Sequence, residues 1–226
     1  MSDFFREVDE ELRNERMKNL WKRYGIVFIA IAVLIVAGTG AYRGYIAWND
    51  SQAAASGDRY LDAMELFEDG EADAANAILK ELSKDGHGAY PVLAKFRIAA
   101  STAAGGDSAG AIALFDALTK DGAATSDLQD YAALQAAMLA VDAEPYEAVK
   151  SRVAGLVTEG NVWRDLAHEA LALSAWKAGE YNEAARWVGE VTRSPTTSEG
   201  LRQRINTLRA LLVGKGIEIP GAQSAG

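Results

Sequence analysis

The sequence predicts an all-α protein in which a single N-terminal transmembrane helix is followed by a solenoid of helical hairpins. The 226 residues are 49% hydrophobic, 8% aromatic and include only 4 prolines, a composition that favours packed helices over a strand-rich sandwich. The run from Tyr24 to Tyr42 carries no formal charge. The rest of the chain shows helical apolar periodicity interrupted by Gly and Asp clusters, without the alternation of a half-buried strand.

The lead-in, residues 1–23, is expected to be a short cytoplasmic amphipathic helix. Its acidic residues come early and its basic residues late, an order that suits the helix dipole. Phe5, Val8 and Leu12 fall on one helical face. This face is open to two interpretations, a docking surface or a solvated segment that helps to set topology.

Residues 24–42 are predicted to be the transmembrane helix, because about 20 apolar residues span the hydrocarbon core. A buried core helix is the first alternative, and the continuous apolar run leaves no polar face for one. A cleaved signal peptide is the second alternative. The long preceding lead-in and the length of the run argue against cleavage, whereas the small residues 38–41 argue for it. We expect an uncleaved anchor.

Flanking residues predict that the N-terminus stays in the cytoplasm and that the C-terminal domain is periplasmic, since basic side chains resist translocation. Only Arg43 follows the span closely. Gly40 and Gly44 are spaced so that two such helices could pack closely, which makes a homo-oligomer one expectation. The basic residues nearest to the start of the span are Arg16, Lys18, Lys22 and Arg23. The predicted aromatic anchors at the two membrane interfaces are Trp21, Tyr24, Tyr42, Tyr45 and Trp48.

After a neck at residues 43–57, residues 58–214 are predicted to form about four helical hairpins and a cap helix. Four similar segments begin at Gly70, Gly106, Glu144 and Gly179, so they follow one another at nearly equal spacing. Each has apolar or small residues at its sixth, tenth and thirteenth positions, which form one helical face. The run from Ser198 to Gly214 is the cap, and residues 215–226 are expected to be a disordered tail.

The pattern resembles the tetratricopeptide repeat, a helix-turn-helix unit with small residues where its two helices cross. The fourth unit matches best, with Gly179 and Tyr181 in the turn and Ala184 at the crossing point. The first helix of each hairpin lines the binding side of such solenoids. We therefore expect a shallow apolar groove for client segments, although the same residues are also candidates for packing between hairpins. The groove residues are Phe96, Leu134, Met138, Leu173 and Trp176.

The lead-in DEELRNERMKNLWKRYG, the anchor and the repeats together are similar to the YfgM-like family, ancillary subunits of the SecYEG translocon. The resemblance implies a bacterial inner-membrane protein whose periplasmic repeats attend newly translocated, unfolded proteins. It also implies two partners, the translocon and a membrane-anchored periplasmic chaperone of the prolyl-isomerase type.

No residue pattern points to catalysis, a metal or a cofactor. The chain has no cysteine and two histidines, and His168 with Glu169 fails to complete a metallopeptidase motif because position 172 is Ala. His87 lies in a glycine-flanked loop and is expected to be solvated. The formal net charge of −9 argues against a nucleic-acid partner. We expect a non-enzymatic interaction module and no cofactor, with an envelope scaffold for cell-wall or division proteins as the alternative; an enzyme would need a site that the sequence does not reveal.

Overall fold

The computed structural model describes the backbone of residues 2–220 and the side chains of residues 17, 18 and 21–220. Within this range the chain is helical and contains no strand, which confirms the all-α fold class. The helices are α1 (Ser2–Glu68), α2 (Ala72–Asp85), α3 (Tyr90–Ala104), α4 (Ser108–Leu118), α5 (Ser126–Ala143), α6 (Tyr146–Val153), α7 (Arg164–Lys177), α8 (Tyr181–Arg193) and α9 (Glu199–Gly214).

The first of two compact units ends at Gln52 and consists of the N-terminal part of α1. This part of α1 contains a stretch that is long and apolar enough to cross a membrane, and only 6% of that stretch is buried. A core helix of a soluble protein would be mostly covered, so the structure does not support that alternative. The five predicted aromatic anchors are all exposed, whereas the side chain of Arg16 lies outside the described residues.

The second unit begins at Ala53 and contains four helical hairpins. The C-terminal part of α1 pairs with α2, and the pairs α3 with α4, α5 with α6 and α7 with α8 follow along the chain. Helix α9 packs against α7 and α8. Three apolar clusters fill the spaces between these helices, and alanine supplies many of the contact points, so the helices approach closely.

The same hydrogen-bonded turn closes the first helix in most of the hairpins. At Gly106, whose φ is +90°, the amide donates to the carbonyl of Ala103, and the next amide, of Asp107, donates to that of Thr102. This pair of hydrogen bonds is the Schellman motif, and glycine is favoured there because L side chains rarely adopt positive φ. Four glycines share this geometry, namely Gly70, Gly106, Gly179 and Gly216.

The third hairpin departs from this turn. Glu144 occupies the glycine position with an extended φ of −130°, and Pro145 is the N-cap of α6. Gly216, by contrast, closes α9 with the motif used in the hairpins. Helix α9 therefore ends in the same way as the first helix of a hairpin, and a short C-terminal segment follows it.

That C-terminal segment corrects the tail predicted from residue 215. Ile219 is buried, Ile217 packs against the core, and the carbonyl of Pro220 accepts a hydrogen bond from Arg193. Residues up to Pro220 are held in this way by apolar contacts and by α8. Residues 221–226 of the predicted tail lie outside the described part of the chain.

Candidate functional site

The first helices of the hairpins have one side that is partly exposed to solvent, as α5 shows. One side of α5 packs into the cluster shared with α3 and α4, and another packs into the cluster shared with α6 and α7. A third side, at Ala133, lines a cleft with α4 and α6. The remaining side carries Tyr131, Gln135 and Met138, which are spaced at i, i+4 and i+7 and partly exposed.

We align the hairpins by their turns, so that Gly106, Glu144 and Gly179 are equivalent, and call this alignment the turn register. It identifies the corresponding side of the first helix in the neighbouring hairpins. It relates Tyr131 to Leu93 on α3 and to Leu166 on α7. In the same way Gln135 corresponds to Arg97, and Met138 corresponds to Leu173. We call these partly exposed residues the inner face, which consists of Leu93, Arg97, Tyr131, Gln135, Met138, Leu166 and Leu173.

A row of aromatic rings crosses three successive first helices at this face. The ring of Tyr131 lies 5.7 Å from that of Phe96 and 5.1 Å from that of Trp163, centroid to centroid. Such contacts favour tilted or offset rings and stabilise a pair by about 0.5–1.5 kcal/mol beyond area burial. The row therefore fixes the spacing of α3, α5 and the start of α7, and it supplies part of the apolar surface.

Two polar groups next to this row have no hydrogen-bond partner among the described residues. They are the buried Nε of Arg97 and the buried Nε1 of Trp163. The guanidinium carbon of Arg97 lies 4.5 Å from the ring centre of Phe67, so a cation–π contact supports the charge in place of an acceptor. Unsatisfied donors are uncommon in sealed cores, and here they lie beside a partly exposed surface.

The five predicted groove residues occupy different environments. Met138 and Leu173 lie on the inner face, and Phe96 lies beside it, where it contacts both Phe115 and Tyr131. Leu134 is wrong as an exposed groove residue, because it is only 3% exposed and belongs to the core. Its position on α5 faces the following hairpin instead of solvent.

Trp176 also lies away from the inner face. Its ring is 5.1 Å from that of Tyr181, and the ammonium of Lys215 lies 5.6 Å from the Trp176 ring centre. In the turn register Trp176 corresponds to the buried Val141, which faces the next unit. Trp176 therefore packs between the fourth hairpin and the segment after α9.

The buried His168 packs as part of the protein core. His168 is stacked on Trp187 at 5.2 Å, and its Nδ1 has no partner among the described residues. Burial, followed by the positive charge of Arg164, holds the pKa of His168 below its ordinary value. Nowhere in the described residues do three His, Asp or Glu side chains come together as candidate metal ligands.

Sequence reasoning missed Leu93, Arg97, Tyr131, Gln135 and Leu166 at this face. It placed Leu134 there because adjacent residues of a helix point about 100° apart, so an error of one residue exchanges the exposed side for the buried one. Counting back from the turn position would have found them, since Tyr131 precedes Glu144 by the same interval by which Leu93 precedes Gly106.

A comparison with known protein families gives one match for the chain. Residues 18–170 match the family described as a tetratricopeptide repeat-like domain, which is about two thirds of the chain. The matched part runs from the lead-in into α7. No curated protein and no solved structure matches the chain.

Proposed function

The chain belongs to the tetratricopeptide repeat-like domain family, and on this premise we propose that it is a membrane-anchored, non-enzymatic protein–protein interaction module. Domains of this family serve in general as surfaces for other proteins. The observation that carries the proposal is the inner face, where partly exposed side chains lie at corresponding positions of α3, α5 and α7 and aromatic rings contact one another beside them.

The chemistry of the inner face suits segments of partly folded proteins. Leucine, methionine and tyrosine side chains supply apolar area, and methionine adapts its shape to different partners. Gln135 and Arg97 add hydrogen-bonding groups at the same face, which suits the backbone of an extended chain. Binding would release water from apolar surface without any covalent step.

The proposed location is a bacterial inner membrane, with residues 24–42 as the anchor, the N-terminus in the cytoplasm and the repeats in the periplasm. The exposed apolar side chains of α1 support an anchor, and the basic residues before the span support this orientation. We also propose the boundaries that the sequence predicts, namely a lead-in at residues 1–23, an anchor at 24–42 and a neck at 43–57.

The resemblance to the YfgM-like family suggests the finer role. On that basis we propose an accessory of the SecYEG translocon, which assists newly translocated envelope proteins together with a membrane-anchored prolyl-isomerase-type chaperone. The lead-in, the anchor and the repeats support this role, in the order in which they occur along the chain.

Photocrosslinking from position 48 in living cells tests the finer role. A photoreactive amino acid replaces Trp48 in the full chain, and the same label at Leu211 on α9 is the matched control. We expect translocon subunits among the adducts of position 48 and not among those of position 211. Adducts with cell-wall or division proteins and no translocon at position 48 would replace this role by that of an envelope scaffold.

A further inference from the structure

Two clefts on the side of the second helices occupy corresponding places in successive hairpins. The first cleft, of about 490 Å³, lies between α2 and α4 above α3, and the second, of about 510 Å³, lies between α4 and α6 above α5. The turn register, with Gly70 equivalent to Gly106 and Gly106 to Glu144, maps one lining onto the other. Lys80 in the first cleft corresponds to Asp116 in the second, and Leu114 corresponds to Arg152.

The second cleft is bridged by an ion-pair network of its own. The guanidinium of Arg152 donates to Asp116 at 3.0 Å and to Glu144 at 3.0 Å, and its side chain is only 18% exposed. These two carboxylates raise the pKa of Arg152, chiefly because they accept its hydrogen bonds, Asp116 contributing more than Glu144. Paired hydrogen bonds between a guanidinium and carboxylates are strong and directional. The charges that line the second cleft therefore satisfy one another.

All three members of this network are replaced in the first cleft. Lys80 stands in place of Asp116, Leu114 in place of Arg152 and Gly106 in place of Glu144. Leu114 is 38% exposed, and the ammonium of Lys80 has no ion-pair partner in the described part of the chain. The first cleft thus combines an open apolar wall with a cation that the fold does not neutralise.

The other cation in the first cleft is already paired. Lys95 donates to Asp121 at 2.7 Å, and this hydrogen bond is the main reason that the pKa of Asp121 is lowered. Ile98 and Leu118 add apolar surface to the lining. A complementary ligand must therefore bring an aliphatic group for the wall and a carboxylate for Lys80.

The exposed edge of α1 in the second unit carries that combination. Leu61 is 66% exposed; single exposed leucines are common on protein surfaces, so the charges around Leu61 are its distinguishing feature. Three exposed carboxylates surround it on the helix, from Asp58 at i−3, Asp62 at i+1 and Glu65 at i+4. The exposed Leu211 and Val213 on α9 lie instead between Arg209 and Lys215, so their charge does not complement Lys80.

We propose that this protein self-associates by docking Leu61 of one copy into the first cleft of a second copy. The leucine contacts Leu114 and Ile98, and its flanking carboxylates face Lys80. This contact uses the clefts of the second helices, so it leaves the inner face on α3, α5 and α7 available to other proteins. Opposite charges at the edge and the cleft would both orient the two copies and exclude other registers.

Disulfide trapping in membranes tests the contact directly, because the natural chain has no cysteine to confuse the result. Two differently tagged full-length variants, Leu61→Cys and Leu114→Cys, are expressed together and exposed to a mild oxidant. We expect a disulfide-linked species that carries both tags and has twice the 24.1 kDa mass of the chain. The matched control pairs Leu61→Cys with Ser151→Cys in the second cleft, and it should trap at least tenfold less.

A second variant copies the bridge of the second cleft into the first. The double substitution Lys80→Asp with Leu114→Arg should place an ion pair across the first cleft. When one tagged copy is purified, the amount of the other tagged copy that copurifies should then fall at least tenfold. The control, Lys120→Asp with Ser151→Arg, makes the same net charge change among exposed residues of the second cleft and should leave recovery unchanged. The proposal would be overturned if Leu61→Cys formed no more disulfide with Leu114→Cys than with Ser151→Cys. It would also be overturned if the double variant Lys80→Asp with Leu114→Arg had the thermal midpoint of the natural protein and still copurified with the other copy as well as the natural protein does.

Discussion

Arg204 on α9 donates two hydrogen bonds, of 2.6 and 2.7 Å, to the carboxylate of Glu169 on α7. Glu169 is only 2% exposed, whereas 57% of the Arg204 side chain remains exposed. In the turn register Glu169 corresponds to Leu134 on α5 and to Phe96 on α3. A position that carries an apolar side chain in two hairpins thus carries a charge in the fourth, where it joins that hairpin to α9.

Removing the arginine should destabilise the C-terminal end of the repeats. Arg204→Ala leaves a buried carboxylate without its cation, and we expect a loss of about 1–3 kcal/mol, below the value for a fully buried pair because Arg204 is half solvated. The control is Lys84→Ala, which removes an exposed pair with Glu81 at 3.6 Å and should cost under about 1 kcal/mol. Denaturation of the full chain in detergent measures both; equal losses would contradict the role of the buried pair.

Leu134 and Met138 should separate stability from binding. Leu134→Ala opens a cavity in the core and is expected to cost about 2–4 kcal/mol. Met138→Ala truncates a partly exposed side chain, so it should cost about 1 kcal/mol or less while reducing crosslinking of partner proteins to the inner face. Thermal midpoints and crosslinking yields of the two variants decide this. If Met138→Ala destabilised the chain as much as Leu134→Ala, Met138 would be a core residue.

Stability should fall as the pH drops below about 6.5, the ordinary pKa of histidine. Burial and Arg164 depress the pKa of His168 in the folded chain, with Arg186 adding to the effect and Glu190 and Asp165 opposing it. The unfolded chain therefore binds a proton at a higher pH than the folded chain, and the stabilisation by neutral His168 diminishes between about pH 6.5 and the lower folded pKa.

His168→Phe should reduce this part of the pH dependence, since phenylalanine also stacks on Trp187 but cannot take up a proton. Thermal midpoints of the full chain between about pH 7.5 and 5.5 provide the measurement, at roughly half-unit steps across the window of the lowered pKa. Identical slopes in the variant and the natural protein would show that His168 does not contribute.

Replacing a turn glycine that has a positive φ should lower the stability of the fold more than replacing a glycine in a helix. Gly179→Ala forces an L side chain to φ +79°, and we expect a loss of about 1–2 kcal/mol. Gly214→Ala, inside α9 with nothing within 4 Å of the added carbon, should be neutral or slightly stabilising. Chemical denaturation compares the two variants. A loss at position 214 as large as at 179 would contradict the assignment of the turn.

Much of the fold follows from the spacing of the turns. The interval that separates Gly70 from Gly106 also separates Arg59 from Lys95, and each of these cations pairs with an aspartate near the end of the next helix, at 3.0 and 2.7 Å. Periodicity therefore predicted the hairpins, and the structure repeats even their ion pairs. The turn at Gly216 was not predicted, because it lies outside the four segments that the apolar period aligned.

The inner face was harder to predict, because rotation of a helix decides it and sequence alone does not fix rotation within one residue. Leu134 and Met138 are both apolar, and only the packing of α5 between α4 and α7 distinguishes the buried one from the exposed one. Exposed and buried apolar residues look alike in a degenerate repeat. The charge differences between the two clefts likewise gain meaning only when the hairpins are placed in register.

The proposed function depends on the claim that the inner face binds other proteins, and photocrosslinking from opposite sides of one hairpin tests this binding. A photoreactive residue is placed at Met138 on the inner face or at Ser151 on α6, each in the full chain in living cells. We predict adducts with diverse exported proteins from position 138 at a yield at least several times that from position 151. Equal yields at the two positions, or adducts from position 151 alone, would contradict the claim.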